Sequence, residues 1–269
     1  MKIQSLKLAC FSPTGNSKLV GKIIAQNIKA NSTQQIDITR PRVRAQTLSL
    51  TSEDLLVVVV PVYMGRVPAL LEDWFGKIEA NNTPAICVVV YGNRVYDNAL
   101  LELKDILAKR GCVPIAGAAF IGEHSFSNSQ TPVAVSRPDS IDLDICKVFS
   151  SKVNKMITEA NSLTDLPPVS LPGKYPYGGV TQLWSVDFLD VSDRCEQCGK
   201  CAEVCPMDAI NPINSRDIDI DKCISCCACI KNCPNIARTM KDSKVKDASV
   251  RLFNNCKERK EPELFFSFV

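Results

Sequence analysis

The sequence predicts an α/β protein: an open, doubly wound, five-stranded parallel sheet followed by a small α+β domain. Three observations carry that expectation. Five apolar, strand-like stretches alternate with helical ones through the first 160 residues. Proline and glycine then crowd residues 163–180, and beyond them a cysteine pattern occurs twice. Strands alternating with helices through short connections specify a parallel sheet covered on both faces. The 269 residues suit about two domains. The expected division is a first domain at 1–162, a linker at 163–182, a second domain at 183–240 and a tail at 241–269.

Residues 3–10 form a short first strand ending in the loop F-S-P-T-G-N-S, Phe11 to Ser17. Leu19, Val20, Ile23, Ile24 and Ile28 then recur at helical spacing. Hydroxyls, Gly15 and unpaired helix N-terminal N–H groups converge at that loop, which suits a phosphate; the alternative for residues 12–17 is an ordinary capped strand-to-helix turn. It is not a Walker A loop, because five residues separate Gly15 from Gly21–Lys22 and Ile23 stands where Ser or Thr belongs. No G-x-G-x-x-G occurs either. A second strand is expected near Gln35–Ile38. A basic connection from Arg40 to Asp54, with Arg42 and Arg44, reads as a solvated surface.

Leu55–Val60 is a continuous valine-rich run, the profile of a strand buried on both faces. Leu70, Leu71, Trp74, Phe75 and Ile78 mark the next helix, and Ala85–Tyr91 the next buried strand. Leu100, Leu101, Leu103, Ile106 and Leu107 mark another helix, Val113–Ile121 the fifth strand. Ile141, Ile145, Val148, Phe149, Val153, Met156 and Ile157 stripe a final long helix. The loops at 11–17, 61–66, 91–97 and 122–130 all leave the carboxyl ends of strands, where such sheets bind ligands. Pro61, Val62, Tyr63, Met64, Gly65, Tyr91, Gly92, Asn93, Tyr96 and Asp97 are therefore expected beside the phosphate loop. His124, the only histidine, lies on the same edge. The unpatterned stretch Ser125–Ser136 is either a loop over this site or a surface connection.

Four prolines within 163–180 make a stiff, extended connector. Then C-E-Q-C-G-K-C-A-E-V-C-P, from Cys195, and C-I-S-C-C-A-C-I-K-N-C-P, from Cys223, repeat C-x2-C-x2-C-x3-C-P 28 residues apart. This is the ligand run of two-cluster proteins, in which the fourth Cys of each run serves the other cluster. One [4Fe–4S] cluster is assigned to Cys195, Cys198, Cys201 and Cys233, the other to Cys223, Cys226, Cys229 and Cys205. Zinc sites pair their ligands across a longer gap, and disulfides need an oxidising compartment. Cys227 falls off the register and reads as a packed neighbour, and Cys10, Cys87, Cys112 and Cys146 as core thiols. Ile210 to Asp221 suits a small hairpin. In the tail, Phe253, Leu264, Phe265, Phe266 and Phe268 suggest docking back on the protein, or a partner or homodimer contact.

Residues 1–160 carry 18 basic and 14 acidic groups, while residues 183–240 carry 6 and 9. Two dianionic clusters would bring the second domain to about −7, a contrast that favours docking of one domain on the other or on a redox partner. No basic block argues for nucleic acid, and no apolar run approaches the roughly 18 residues of a membrane span. Fourteen cysteines without an export signal point to a reducing interior, so the expectation is a cytoplasmic protein of an anaerobic cell.

S-P-T-G-N-S, Ser12 to Ser17, resembles the FMN phosphate loop of flavodoxins, and Y-G-N-R-V-Y-D, Tyr91 to Asp97, resembles their ring-contacting loop. With the cysteine runs, and down to C-K-E-R-K-E-P-E-L-F-F at Cys256 to Phe266, the chain resembles the flavodoxin–ferredoxin fusion proteins of anaerobes. The resemblance implies FMN phosphate on Ser12, Thr14, Gly15, Asn16 and Ser17, with the ring between Val62–Gly65 and Gly92–Asp97. It implies electron transfer between flavin and clusters; the expected partner, not carried over from the family, is a redox protein (a ferredoxin or reductase) or a small-molecule electron acceptor. One departure is the net positive charge of the first domain, since many flavodoxins are strongly acidic. His124 is either a flavin hydrogen-bond partner or proton donor, or a loop-anchoring histidine. A reductase of a small acceptor (quinone, free flavin or nitroaromatic) is the alternative function. Clusters that are merely structural or oxygen-sensing are a third.

Overall fold

The structure, a computed structural model, describes residues 1–179 and 185–267. The expected end of the linker at 180–182, the first two residues of the expected second domain and Phe268 lie outside the described residues.

The first unit runs β1 (Ser5–Cys10), α1 (Asn16–Asn27), β2 (Ser32–Asp37), α2 (Pro41–Arg44), β3 (Leu48–Ser49), β4 (Asp54–Pro61), a 3-10 turn at Ala69–Leu71, α3 (Glu72–Gly76), β5 (Ile78–Glu79), β6 (Thr83–Tyr91), α4 (Ala99–Lys109), β7 (Cys112–Ile121) and α5 (Ser140–Glu159). Next come β8 (Leu189–Val191), α6 (Lys200–Glu203), α7 (Ala228–Lys231), β9 (Arg238–Met240), α8 (Lys244–Asn255) and β10 (Glu263–Phe266).

The main sheet has the order β10-β7-β6-β4-β1-β2. Its five long-loop strands are parallel and follow the 2-1-3-4-5 doubly wound order. The sheet has six strands, not the expected five, because β10 returns antiparallel to β7, pairing Glu263 with Ala119 and Phe266 with Ala116. Four residues of tail with no alternating pattern gave no sequence signal for it. Burial explains the valine-rich runs. Leu55, Val57, Val59, Ile86 and Val88 pack towards α1 and α5, while Leu56, Val58, Val60, Cys87 and Val89 pack towards α3 and α4. Every residue from Leu55 to Val60 is fully buried, each such side chain contributing roughly 1.5–3 kcal/mol.

Several helix readings need correction. The run expected as one helix to Ile78 breaks after Gly76, and Ile78 instead joins β5, which pairs with β3 in a separate small sheet. Leu19, Ile141 and Val148, expected on apolar faces, are exposed. On α5 the core contacts fall to Cys146, Phe149, Val153, Met156 and Ile157. Nor is 163–179 a free spacer. Val169 and Leu171 are buried in the sheet's core, Lys174 N donates to Asn98 Oδ1 at 2.9 Å, and Tyr177 stacks under the Arg66 guanidinium at 5.1 Å.

In the second unit β8 and β9 form an antiparallel pair, and the expected hairpin reduces to one bridge between Ile210 and Ile218. Its core is small, built on Phe188, Leu189, Ile210, Cys229 and Val245. Among the described residues no helix is long and apolar enough to cross a membrane.

Candidate functional site

β1 ends at Cys10 and releases the Ser12–Ser17 loop into α1. Ser12 Oγ accepts from Lys18 N at 2.9 Å, and Ser12 N donates to Thr39 Oγ1 at 2.8 Å, which fixes the loop. Gly15 caps the helix at φ 98°, a left-handed conformation costly for other residues. The N-cap Gly15 has no side chain to cap α1, and with Lys18 N taken by Ser12 Oγ the N–H groups of Asn16 and Ser17 are left available to an anion. Asn16 turns its amide elsewhere, donating to Glu123 O at 2.9 Å and tying the loop to the end of β7.

Beside this loop opens a cleft of about 680 Å³, within the size range of cofactor sites. Ser12, Thr14, Asn16 and Ser17 line it, as do Pro61, Val62, Tyr63 and Met64, then Tyr91, Gly92 and Asp97, and finally His124. The four loops therefore converge as the strand order requires. Gly15, Gly65, Asn93 and Tyr96 do not line the cleft. Gly65 turns at φ 81° against the Asp97 carboxylate. Asn93 and Tyr96 are engaged by the tail: Asn93 Nδ2 donates to Cys256 O and Glu258 O at 2.8 and 2.9 Å, and Tyr96 donates to Glu263 at 2.9 Å.

The cleft also has walls the sequence reading missed. Ala248, Arg251, Leu252 and Asn255 of α8 close one side, and Ile224, Ser225 and Cys226 of the second cysteine run close another. The spacing of Val245, Ala248 and Leu252 was a helical signal in the tail, obscured by its charge. Arg40 and Arg44, expected to be solvated, reach the second unit. Arg44 donates to Pro206 O at 2.6 Å, and Arg40 to Glu203 O. Lys231 pairs with Glu123 at 2.5 Å.

The cysteines group in two small cavities of about 20 Å³ each. Cys195, Cys198, Cys201 and Cys233 line the first. Cys205, Cys223, Cys226 and Cys229 line the second, with Cys227. Each cavity thus takes three cysteines from one run and the fourth from the other. Cys226 lines both the second cavity and the large cleft, whereas Cys198 is exposed at the first. Here the two are called the outer and inner sites. Among the described residues no three Cys, His, Asp or Glu side chains converge tightly enough for a single ion.

Residues 13–126 match the family model of NADPH-dependent FMN reductase, and residues 188–234 match that of the 4Fe-4S dicluster domain. The chain is thus a fusion of an FMN reductase-like unit and a 4Fe-4S dicluster unit. Similar solved structures cover the fusion's first unit. An archaeal flavodoxin is 12% identical over 58% of this chain and 100% of its own, with a TM-score of 0.41. The flavodoxin of Streptococcus pneumonia TIGR4 is 13% identical over 56% and 99%, with a TM-score of 0.39. An NADH:FMN oxidoreductase in its apo form is 12% identical over 60% and 92%, with a TM-score of 0.40. Among curated proteins none matches.

The fusion's own atoms test the fit of these cofactors. Four buried side-chain atoms have no hydrogen-bond partner among the described residues: Asn93 Oδ1, Ser215 Oγ, Ser225 Oγ and Arg238 Nη1. Ser225 lines the cleft beside Cys226, and Ser215 and Arg238 line the outer site. Buried polar groups require partners, so three of the four point to groups bound where sequence puts flavin and cubanes. Burial raises the Cys226 thiol well above its usual range and the Cys229 thiol to about 12. Bound iron is what would hold such thiols ionised. His124 is driven down to about 4 by burial, then by Lys231 and Arg94. It is neutral at physiological pH, and its Nδ1 accepts from Phe126 N at 3.0 Å, leaving the proton on Nε2. Burial, then the Cys226 and Cys227 thiols, keep the Tyr63 hydroxyl neutral.

Proposed function

We propose that this iron–sulfur flavoprotein passes electrons between FMN and two low-potential [4Fe–4S] clusters and an external redox partner. The observation that carries the reading is the position of Cys226, shared by the inner site and the flavin cleft, while Cys198 opens to solvent at the outer site. When bound, the clusters carry single electrons, and FMN couples them to two-electron chemistry.

The chain's residues have distinct tasks in this reading. Ser12, Thr14 and Ser17, with the backbone N–H of Asn16, hold the phosphate, and Gly15 supplies the left-handed turn that shapes their loop. Pro61 to Met64 and Tyr91, Gly92 and Asp97 enclose the ring, and His124 offers Nε2–H at its edge. Asn93 and Tyr96 act by fixing the tail. Cys195, Cys198, Cys201 and Cys233 bind the outer cluster, and Cys205, Cys223, Cys226 and Cys229 the inner. Residues 1–162 form the flavin domain and 183–240 the cluster domain, in a reducing, cytoplasmic setting. A partner, a ferredoxin or a reductase, docks where Cys198 is exposed.

Rapid partial reduction of the anaerobic holoprotein tests this. Cluster and flavin absorbance should relax together in a first-order phase independent of protein concentration; a phase scaling with concentration refutes internal transfer. The size of the cleft favours a second reading, reduction of a small acceptor at the flavin. Multiple turnover with a quinone or nitroaromatic, abolished by Cys226→Ala, would establish it.

A further inference from the structure

Among the described residues the buried arginines are Arg137 and Arg238, and Arg137, like the partly buried Arg66, has a carboxylate. Arg137 forks onto Asp142, and Arg66 onto Glu102 at 2.6 and 2.8 Å. Arg238 has none. Its side chain is among the largest that are fully buried, yet no ion pair forms on it among the described residues. Its Nη2 donates to Ser215 O, while Nη1 and the neighbouring Ser215 Oγ have no partner. Both residues line the outer site together with Cys195, Cys198, Cys201 and Cys233. Strand β9 fixes Arg238 from behind through its pairing with Val191.

A buried, unpaired guanidinium is strongly unfavourable. It persists where an anion meets it, and the one anion this cavity is built to hold is a dianionic cubane. Resting on the cluster assignment above, we infer that Arg238 is a positioning residue that donates from Nη1 to the outer cluster and sets its reduction potential above that of the inner cluster. Positive charge and hydrogen bonds to cluster sulfur stabilise the reduced, more negative state. Arg238 lines the outer cavity but not the inner one. The field is therefore strongest on the outer side. The two clusters, alike in ligand set, are made unequal by one cation, and the solvent-facing cluster becomes the better electron holder.

Full-length protein purified without oxygen, with iron content confirming both clusters, is titrated with EPR detection. Protein lacking iron or flavin would refute the functional reading itself, separately from this inference. Wild type should show two one-electron cluster waves. In R238Q, which keeps an N–H donor but removes the charge, the higher wave should fall by a factor of about ten in its reduction equilibrium, ~59 mV for one electron. The lower wave should move less. R238K, which keeps the charge, should hold the higher wave near its wild-type position. A higher wave unmoved in R238Q, or lowered equally in R238K, overturns the proposal. Should R238Q lose its outer iron, nitrogen hyperfine coupling on the reduced wild-type protein decides. Guanidinium nitrogen coupled to one cluster supports the assignment, and its absence overturns it.

Discussion

Gly92 lies directly against His124: a Cβ built on Gly92 would stand 2.3 Å from Cδ2 of the imidazole. The ring cannot swing away freely, since its Nδ1 accepts from Phe126 N and it packs on the Phe126 ring at 5.2 Å. A single methyl group therefore disturbs two loops that line the cleft. Gly92→Ala should lower stability by about 1–3 kcal/mol in a urea titration. It should weaken FMN binding by about tenfold, or 1.4 kcal/mol, read by flavin fluorescence. Unchanged affinity would separate this contact from the cofactor site.

His124 should not titrate in the neutral range. Its folded value, about 4, lies below the ordinary 6.5. The unfolded chain then binds the extra proton between these values, so stability rises with pH across that window. This contribution is full above about pH 6.5 and lost as pH falls towards 4. Its ceiling is about 3–4 kcal/mol at 1.36 kcal/mol per unit. Because the chain has one histidine, its imidazole resonance can be followed alone by NMR. A midpoint near 6.5 would show the site to be wetter and less positive than described, and His124→Gln should flatten the pH slope.

Arg44 should matter more than Arg40 for holding the two units together. It is partly buried, donates to Ile38 O, Thr39 O and Pro206 O at 3.0, 2.8 and 2.6 Å, and lies over the Phe11 ring at 6.0 Å. Arg40 and Glu203 form a more exposed pair at 3.8 Å, of a kind worth little. Arg44→Ala should slow the internal flavin–cluster relaxation by about tenfold with iron and flavin content unchanged. Hydrogen bonds from a charged donor, at roughly 1.5–3 kcal/mol each, set that scale. Arg40→Ala should change it less than twofold. Lysine at 44 should rescue only in part, for want of the planar fork.

Cys226 and Cys227 adjoin in sequence but should differ in consequence. Cys227 is buried, caps α7 at φ 58°, and its Sγ approaches Ser225 O at 3.7 Å. Iron and sulfide analysis should find Cys227→Ala with the full complement of both clusters and Cys226→Ala short of about half. Iron loss in Cys227→Ala alone would move the ligand assignment by one residue.

Much of this was legible in order along the chain. Leu55–Val60 and Ala85–Tyr91 announced themselves because strands buried on both faces must be apolar throughout. The loops at Ser12, Pro61, Tyr91 and His124 could be placed together because strand topology alone brings carboxyl ends to one edge. Leu19, Ile141 and Val148 were misplaced because helical spacing defines a stripe without saying how wide the facing surface is. The Arg40–Arg44 run looked solvated because charge in a sequence does not reveal what lies opposite.

By itself the sequence determined the doubly wound fold, the loops that converge on the cleft and the twofold repeat of the cysteine run, since each of these is a local pattern with a fixed period or spacing. Only the tertiary structure decided that the tail adds a sixth strand, that α8 walls the cleft, and that Cys226 rather than Cys198 faces it. It also decided that Arg238 is sealed in without a carboxylate. These depend on residues far apart in the chain meeting across a domain interface, where shape and charge are matched in space and leave no periodic trace in the order of the amino acids.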